Sequence, residues 1–324
     1  MVDWSGHAGQ PTEYRYRSMA ERQLRGISPS YERICLGVAG DAELIARLDT
    51  LPPPKRQPNL LLGTVRYLSG PVDSYPGFRA FVLERWDEVA TTMLGRRTQT
   101  NEARRCATLL PVLAAIDGPV ALLEVGASAG LCLQPDRYAY RYDESPVLGD
   151  CDLVLNCRTS GAVPVPDRLP DVVWRAGLDL NPLDVRDDDD MRWLRSLIWP
   201  EESERFEILD RAVEIARSAP APITRGDLLT DLAVVAAGAP ADATLVVFHS
   251  AVLGYLADEQ RGAFRDELAA LAAERPTVWI SNEGPGVVVE LPIPADASVP
   301  FVLARDGEPL ATTSPHGDWI AWLS

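Results

Sequence analysis

The spacing of hydrophobic positions changes once along the chain. Up to residue 117 apolar residues recur at helical intervals; from Pro119 they gather in short continuous runs. Asp41-Ala-Glu-Leu-Ile-Ala-Arg-Leu reads as a short amphipathic helix capped by its aspartate. Leu51-Pro-Pro-Pro-Lys-Arg-Gln-Pro reads as a stiff connector, because each proline fixes its own φ and restricts its predecessor. Asn59 to Leu68 and Phe78 to Leu94 are expected as helices, the second with Phe78, Phe81, Val82, Arg85 and Val89 along one side. Asn101 to Ile116 is expected as another, kinked at Pro111. No useful stretch alternates with period two before Gly118, so no sheet is expected there.

Beyond that point Val120-Ala-Leu-Leu-Glu-Val is a continuous apolar run, the pattern of a strand buried on both faces. Further strands are expected at Val172 to Leu180, Ala243 to His249 and Thr277 to Ser281. Helices are expected between them, with apolar stripes in Glu201 to Ser218 and Asp258 to Glu274. Alternating strands and helices predict an α/β fold with a mostly parallel sheet. Phe301-Val-Leu-Ala-Arg-Asp-Gly-Glu-Pro-Leu-Ala predicts an antiparallel C-terminal hairpin about its Asp-Gly turn. The domain reading is a helical N-terminal part, 1–117, that walls a substrate pocket, then a sheet domain, 118–324. Inserted strands are expected at about 138–172. Asp187 to Asp190 reads as the acidic first turn of a helix over Met191 to Ile198, not as a metal site.

Composition narrows the partners. With 46% hydrophobic and 24% charged residues over 324 positions, the chain is not disordered along its length. Its net charge of -16 argues against nucleic acid, whose binding depends on basic residues, and against an anionic membrane surface. Met1 to Gly40 holds no signal-peptide pattern, and Leu228 to Leu256 is interrupted by Asp231, Asp242 and His249, so no membrane span is expected. A cytoplasmic location is expected. Cys35, Cys106, Cys132, Cys151 and Cys157 form no C-x-x-C pair, so no zinc ribbon or redox pair is signalled, and no metal is expected.

The chemistry concentrates where strands end. Glu124-Val-Gly-Ala-Ser-Ala-Gly130 follows the first strand and is expected to open a helix, whose exposed N–H groups would attract an anion. Gly126 permits a sharp turn and Gly130 close packing. This E-x-G-x-x-x-G resembles the first motif of class I S-adenosylmethionine-dependent methyltransferases, and Val173-Trp-Arg-Ala-Gly-Leu-Asp-Leu-Asn-Pro resembles the second. Ile223-Thr-Arg-Gly-Asp-Leu-Leu resembles the third, and Phe248-His-Ser-Ala-Val-Leu the fourth, which closes over the transferred methyl.

The resemblance implies a Rossmann-like methyltransferase sheet that takes S-adenosylmethionine and releases S-adenosylhomocysteine. Glu124, Gly126, Ala127, Ser128, Gly130, Asp179, Leu180, Asp227, Leu228 and His249 would bind the cofactor. Asp179 would accept both ribose hydroxyls, and Asp227 the adenine amino group. R-Q-P-N-L-L-L-G-x-V-R-Y-L, paired with L-L-E-V-G-A-S-A-G-L and G-L-D-L-N-P-L-D-V, further resembles an uncharacterised bacterial domain-of-unknown-function family. The sequence departs from the first pattern in Ser128, which replaces a glycine, and in the ~50 residues between its first two motifs, against ~20 in a simple unit.

His249 ends a strand, where ligands of open α/β sheets bind, and is expected as a base or positioning group with Glu283 beside it. Gln57, Asn59, Tyr138 and Asn282 are weaker candidates for contacts with a small-molecule acceptor. Two other readings stay open. Gly126-Ala-Ser-Ala-Gly130 is also the G-x-S-x-G of a serine hydrolase, with Ser128 as nucleophile and His249 or His316 as base. A non-catalytic ligand-binding protein would keep the crevice without the chemistry. The sequence indicates no oligomeric state.

Overall fold

A computed structural model describes residues 9–291 and 300–323, which fall into two compact units. One comprises 9–100 and 186–207, the other 101–185 and 208–323. The sequence reading placed a single boundary at 117/118, and the structure differs on both sides of it. Residues 101–117 join the sheet unit because they bond into it: Tyr142 Oη donates to the Ala107 carbonyl, and Arg168 reaches those of Ala114 and Ile116. Residues 186–207 join the helical unit, where Arg96 binds Asp189 and Asp190 and Trp193 Nε1 donates to the Arg97 carbonyl.

The helical unit opens with α1 (Thr12–Met19), α2 (Pro29–Ala39), α3 (Ala42–Leu48), α4 (Pro58–Tyr67), α5 (Tyr75–Glu84) and α6 (Trp86–Gly95). Asp41 caps α3 by accepting from the Glu43 and Leu44 amides, as its position predicts. The single helix expected over Phe78 to Leu94 is two, broken at Arg85. Phe78, Val82, Val89 and Met93 are all buried, so the apolar spacing runs through the break and cannot reveal it. No strand precedes Pro119 among the described residues.

The sheet unit begins with α7 (Arg105–Leu113), shorter than expected, with Pro111 inside it, and β1 (Pro119–Val125). No α-helix follows β1. The chain makes one 3₁₀ turn at Leu131–Leu133, meets Pro135 and enters β2 (Ala139–Tyr142), β3 (Val154–Ser160) and β4 (Asp171–Asp179). The helix expected after Gly126–Gly130 is thus absent; Pro135 lacks the N–H a helix would need. The expected inserted strands are β2 and β3.

Next come α8 (Asp188–Ser196), which starts earlier than the Met191 expected, with the acidic residues forming its first turn and Asp187 its cap, and α9 (Ser203–Ser218). β5 (Ile223–Arg225), α10 (Leu232–Ala236), β6 (Thr244–Ser250), α11 (Asp258–Glu274) and β7 (Thr277–Glu283) follow. The chain closes with β8 (Phe301–Arg305), β9 (Glu308–Thr313) and β10 (Trp319–Trp322). The β8–β9 hairpin turns at Asp306-Gly307, both at positive φ, as an Asp-Gly turn requires. Residues 292–299 of the C-terminal segment, and His7, lie outside the described residues.

The ten strands of the described residues form one mixed sheet in the order β2-β3-β10-β9-β8-β7-β6-β1-β4-β5. From β7 to β5 all neighbours are parallel. The chain builds outward from β1 through β4 to β5, then returns to β1's other side with β6 and β7. The strand order therefore reverses between β1 and β6, and ligands of open α/β sheets bind beyond the carboxyl ends at such a point. Beneath it lies an apolar core that includes Leu123, Val125, Leu178, Leu245, Val247, Phe264 and Leu268.

Candidate functional site

The carboxyl ends of β1, β4, β6 and β7 bring together most of the polar residues singled out in the sequence. Gly126 leaves β1 at φ 71°, and a Cβ there would lie 2.4 Å from Val252 Cγ2, so the turn needs glycine for both its conformation and its space. Ser128 and Gly130 also take positive φ. Most of the loop's amides are spent within the protein. Gly126 N–H donates to the Leu178 carbonyl at 2.7 Å, Ser128 N–H to Asp179 Oδ2 at 2.8 Å and Leu131 N–H to Asn101 Oδ1 at 2.9 Å. The expectation that a helix start would hold an anion here is corrected: there is no helix, and these donors are taken.

Asp179 ends β4 half-buried. Its Oδ2 accepts from the Ser128 amide and its Oδ1 from that of Asn181 at 2.7 Å. Leu180 beside it is 58% exposed. Asp227 follows the neighbouring strand β5, also half-buried, with Leu228 next to it; its Oδ1 accepts from the Leu229 amide. Two carboxylates and an exposed apolar side chain thus line the ends of adjacent strands.

At the end of β6, His249 is fully buried. Its Nδ1 lies 2.6 Å from Glu283 Oε1, and its Nε2 lies 2.9 Å from Trp279 Nε1. An indole N–H can only donate, so Nε2 accepts and the ring proton sits on Nδ1, pointing at Glu283. Both nitrogens are occupied by protein groups. Glu283 Oε1 accepts two more hydrogen bonds, from the Val252 amide at 2.8 Å and the Leu253 amide at 3.0 Å. The pair thereby fixes the turn after β6, including the Val252 that abuts Gly126. Ala251, at φ 61°, is the residue that bends the chain there.

Glu124, at the end of β1, is treated differently. It is 4% exposed, and its Oε2 meets no hydrogen-bond partner among the described residues; neither does the Oγ of Ser128, also 4% exposed. Burial pushes the Glu124 carboxyl well above its ordinary value. Cys132 and Asp179 push the same way, against the opposing charge of Arg105.

The remaining candidates are held in place. Tyr138 is buried and donates its hydroxyl to the Leu131 carbonyl. Asn282 is buried between Ser250 Oγ and Thr313 Oγ1. Gln57 and Asn59 lie in the helical unit, where they accept from Thr98 Oγ1 and Trp199 Nε1. Sequence reasoning missed Trp279 and Arg105. Neither is marked locally: Arg104-Arg105 opens a helix whose following run, Cys106 to Leu113, is apolar but for Thr108 and Pro111. Among the described residues no group of three or more His, Cys, Asp or Glu side chains is placed to hold a metal ion, and no helix is long and apolar enough to cross a membrane.

No curated protein matches the chain. Residues 13–322 match a family described as an uncharacterized protein conserved in bacteria (DUF2332), and the chain belongs to that family.

Proposed function

We propose that the chain is a methyltransferase that binds S-adenosylmethionine beyond β1 and β4 and methylates a small-molecule acceptor. One observation carries the reading. At the point where strand order reverses, a half-buried carboxylate ends β4 and is tied through Oδ2 to the glycine-containing loop after β1. A carboxylate has about four lone-pair sites. With two amides bound, Asp179 keeps capacity for two vicinal hydroxyls. Leu180 offers an apolar face for a base, and Asp227 an acceptor for an exocyclic amine. The hydroxyl of Ser128, unpartnered among the described residues, belongs to the same loop. These residues fit a nucleoside.

When bound, the cofactor supplies a methyl group activated by a sulfonium. The chain's part is to hold both reactants in line and exclude water. In this reading His249 and Glu283 are positioning residues. They fix the turn carrying Val252, and no proton is assigned to His249 Nε2, which already accepts from Trp279.

Isothermal titration calorimetry tests the cofactor. Asp179→Asn keeps an oxygen for one amide but cannot accept two hydroxyls as well, so affinity for S-adenosylhomocysteine should fall about tenfold or more. Equal affinity in variant and wild type, or no binding to the wild type, defeats the proposal.

One observation favours a second reading, serine hydrolysis: Ser128 stands at φ 51° in G-x-S-x-G, the strained turn of a nucleophile elbow. Against it, the Ser128 hydroxyl bonds to no base among the described residues, and no α-helix opens at the turn. A fluorophosphonate probe that labels Ser128 would reverse the order of preference.

A further inference from the structure

Arg105 opens α7 and is 5% exposed. Its Nε donates to the Pro315 carbonyl at 2.8 Å and its Nη1 to the Ser250 carbonyl at 3.2 Å. The second of these carbonyls ends β6, so the guanidinium sits at the carboxyl edge beside the reversal point. No carboxylate among the described residues forms an ion pair with it, and the Phe301 ring lies 5.8 Å away. Charged or titratable groups within its electrostatic reach are Glu124, Cys132 and Tyr255. Glu102, one turn earlier in the chain, faces His316 instead, at 3.9 Å. Carbonyl dipoles soften a buried cation without neutralising it, and an uncompensated buried charge is costly. A second, independent observation lies at the end of the adjacent strand β1 and its loop: the buried oxygens Glu124 Oε2 and Ser128 Oγ have hydrogen-bonding capacity and no partner among the described residues.

We infer that Arg105, Glu124 and Ser128 form a binding subsite for a ligand carboxylate. Arg105 supplies the charge, and the two side-chain oxygens supply donors once their protons turn toward the ligand. A monoanion suits the site better than a dianion, because Asp179 adds negative charge close to Glu124. Two ligands carry this chemistry: the amino-acid end of the proposed cofactor and a carboxylic acid acceptor. The subsite itself stands without either identification; only the choice between them rests on the methyltransferase reading.

The probe is sodium formate, titrated into chloride-free protein and followed by NMR at the Arg105 side-chain Nε–H and the Ser128 amide. Saturable shifts at both are expected. Arg105→Gln should weaken formate binding about tenfold or more, since a charge-assisted contact is lost. Ser128→Ala, which leaves the backbone bond to Asp179 in place, should weaken it severalfold and serves if Arg105→Gln does not fold. Glu124→Gln keeps a neutral donor there and should change binding little. The inference is overturned if formate shifts neither group, if either weakening variant binds formate as the wild type does, or if inorganic phosphate binds more tightly than formate. It is also overturned if Glu124→Gln strengthens binding strongly, because Glu124 would then be the counter-ion Arg105 already has. Loss of the formate shifts when S-adenosylhomocysteine is present, and their persistence with 5′-methylthioadenosine, assigns the carboxylate to the cofactor. Persistence with both assigns it to the acceptor. If S-adenosylhomocysteine does not bind while formate does, the methyltransferase reading fails and the subsite stands.

Discussion

Glu124 and Glu283 end two strands of one parallel array, both buried, and the protein treats them in opposite ways. Glu283 Oε1 gathers three donors: the His249 ring, the Val252 amide and the Leu253 amide. Glu124 Oε2 gathers none among the described residues, and burial holds the group's proton well above the ordinary carboxyl range. The difference separates two uses of a buried acid. A saturated carboxyl is spent on architecture, here the turn that carries Val252 to Gly126. An unsaturated oxygen imposes a cost on the folded chain, which a ligand in the proposed carboxylate subsite would offset.

The same isosteric change at both positions tests the contrast, and the larger effect belongs to Glu283. Glu283→Gln replaces a charged acceptor of three hydrogen bonds by a neutral one, which should cost about 2 kcal/mol of unfolding free energy. Urea denaturation measures it. A cost near zero would mean that the three donors do not depend on the charge, and the contrast with Glu124 would collapse.

Glu124→Gln should act in the other direction. The folded chain keeps a proton here that the unfolded chain releases above the ordinary value of 4.5. The native state therefore binds more protons, and stability is full below that value and declines as pH rises toward the folded one. Glutamine removes the decline. The variant should match the wild type near pH 4 and exceed it near pH 8, with the gap opening as pH rises above 4.5. A variant less stable than the wild type at the higher pH would show that Glu124 is ionised and paired.

How far the sequence discloses this arrangement depends on whether the deciding contact is local. β1, β4, β6 and β7 are legible because buried parallel strands are written as continuous apolar runs, and the β8–β9 turn because Asp-Gly chemistry acts within two residues. The chain after Gly130 is not: Leu131-Cys-Leu-Gln continues an apolar text compatible with a helix, and only Pro135 warns against one. Residues 186–207 join the helical unit through Arg96 with Asp189 and Asp190, nearly a hundred positions apart, a pairing no window could show. Of the candidate site, the acids and His249 are recoverable because strand ends are recoverable. The partners that decide their chemistry are not. Trp279 lies on a neighbouring strand, and Arg105 belongs to a helix that reads as a solvent-facing start.

The smallest expected effect concerns Trp279, and it decides what His249 can do. The indole donates to Nε2, so the imidazole is neutral and protonated on Nδ1. In water the other tautomer is the more common, so nitrogen-15 NMR of the His249 ring distinguishes the imposed state from the default. Trp279→Phe removes the donor and leaves Nε2 buried with a bare lone pair. The cost should be about 1 kcal/mol, with the Nε2 resonance moving and Nδ1 keeping its proton because Glu283 still accepts it. Such a result would mean that His249 acts through the turn it holds and takes a substrate proton only if Trp279 yields. A wild-type ring protonated on Nε2 would remove both bonds at once, and with them the distinction between the two glutamates.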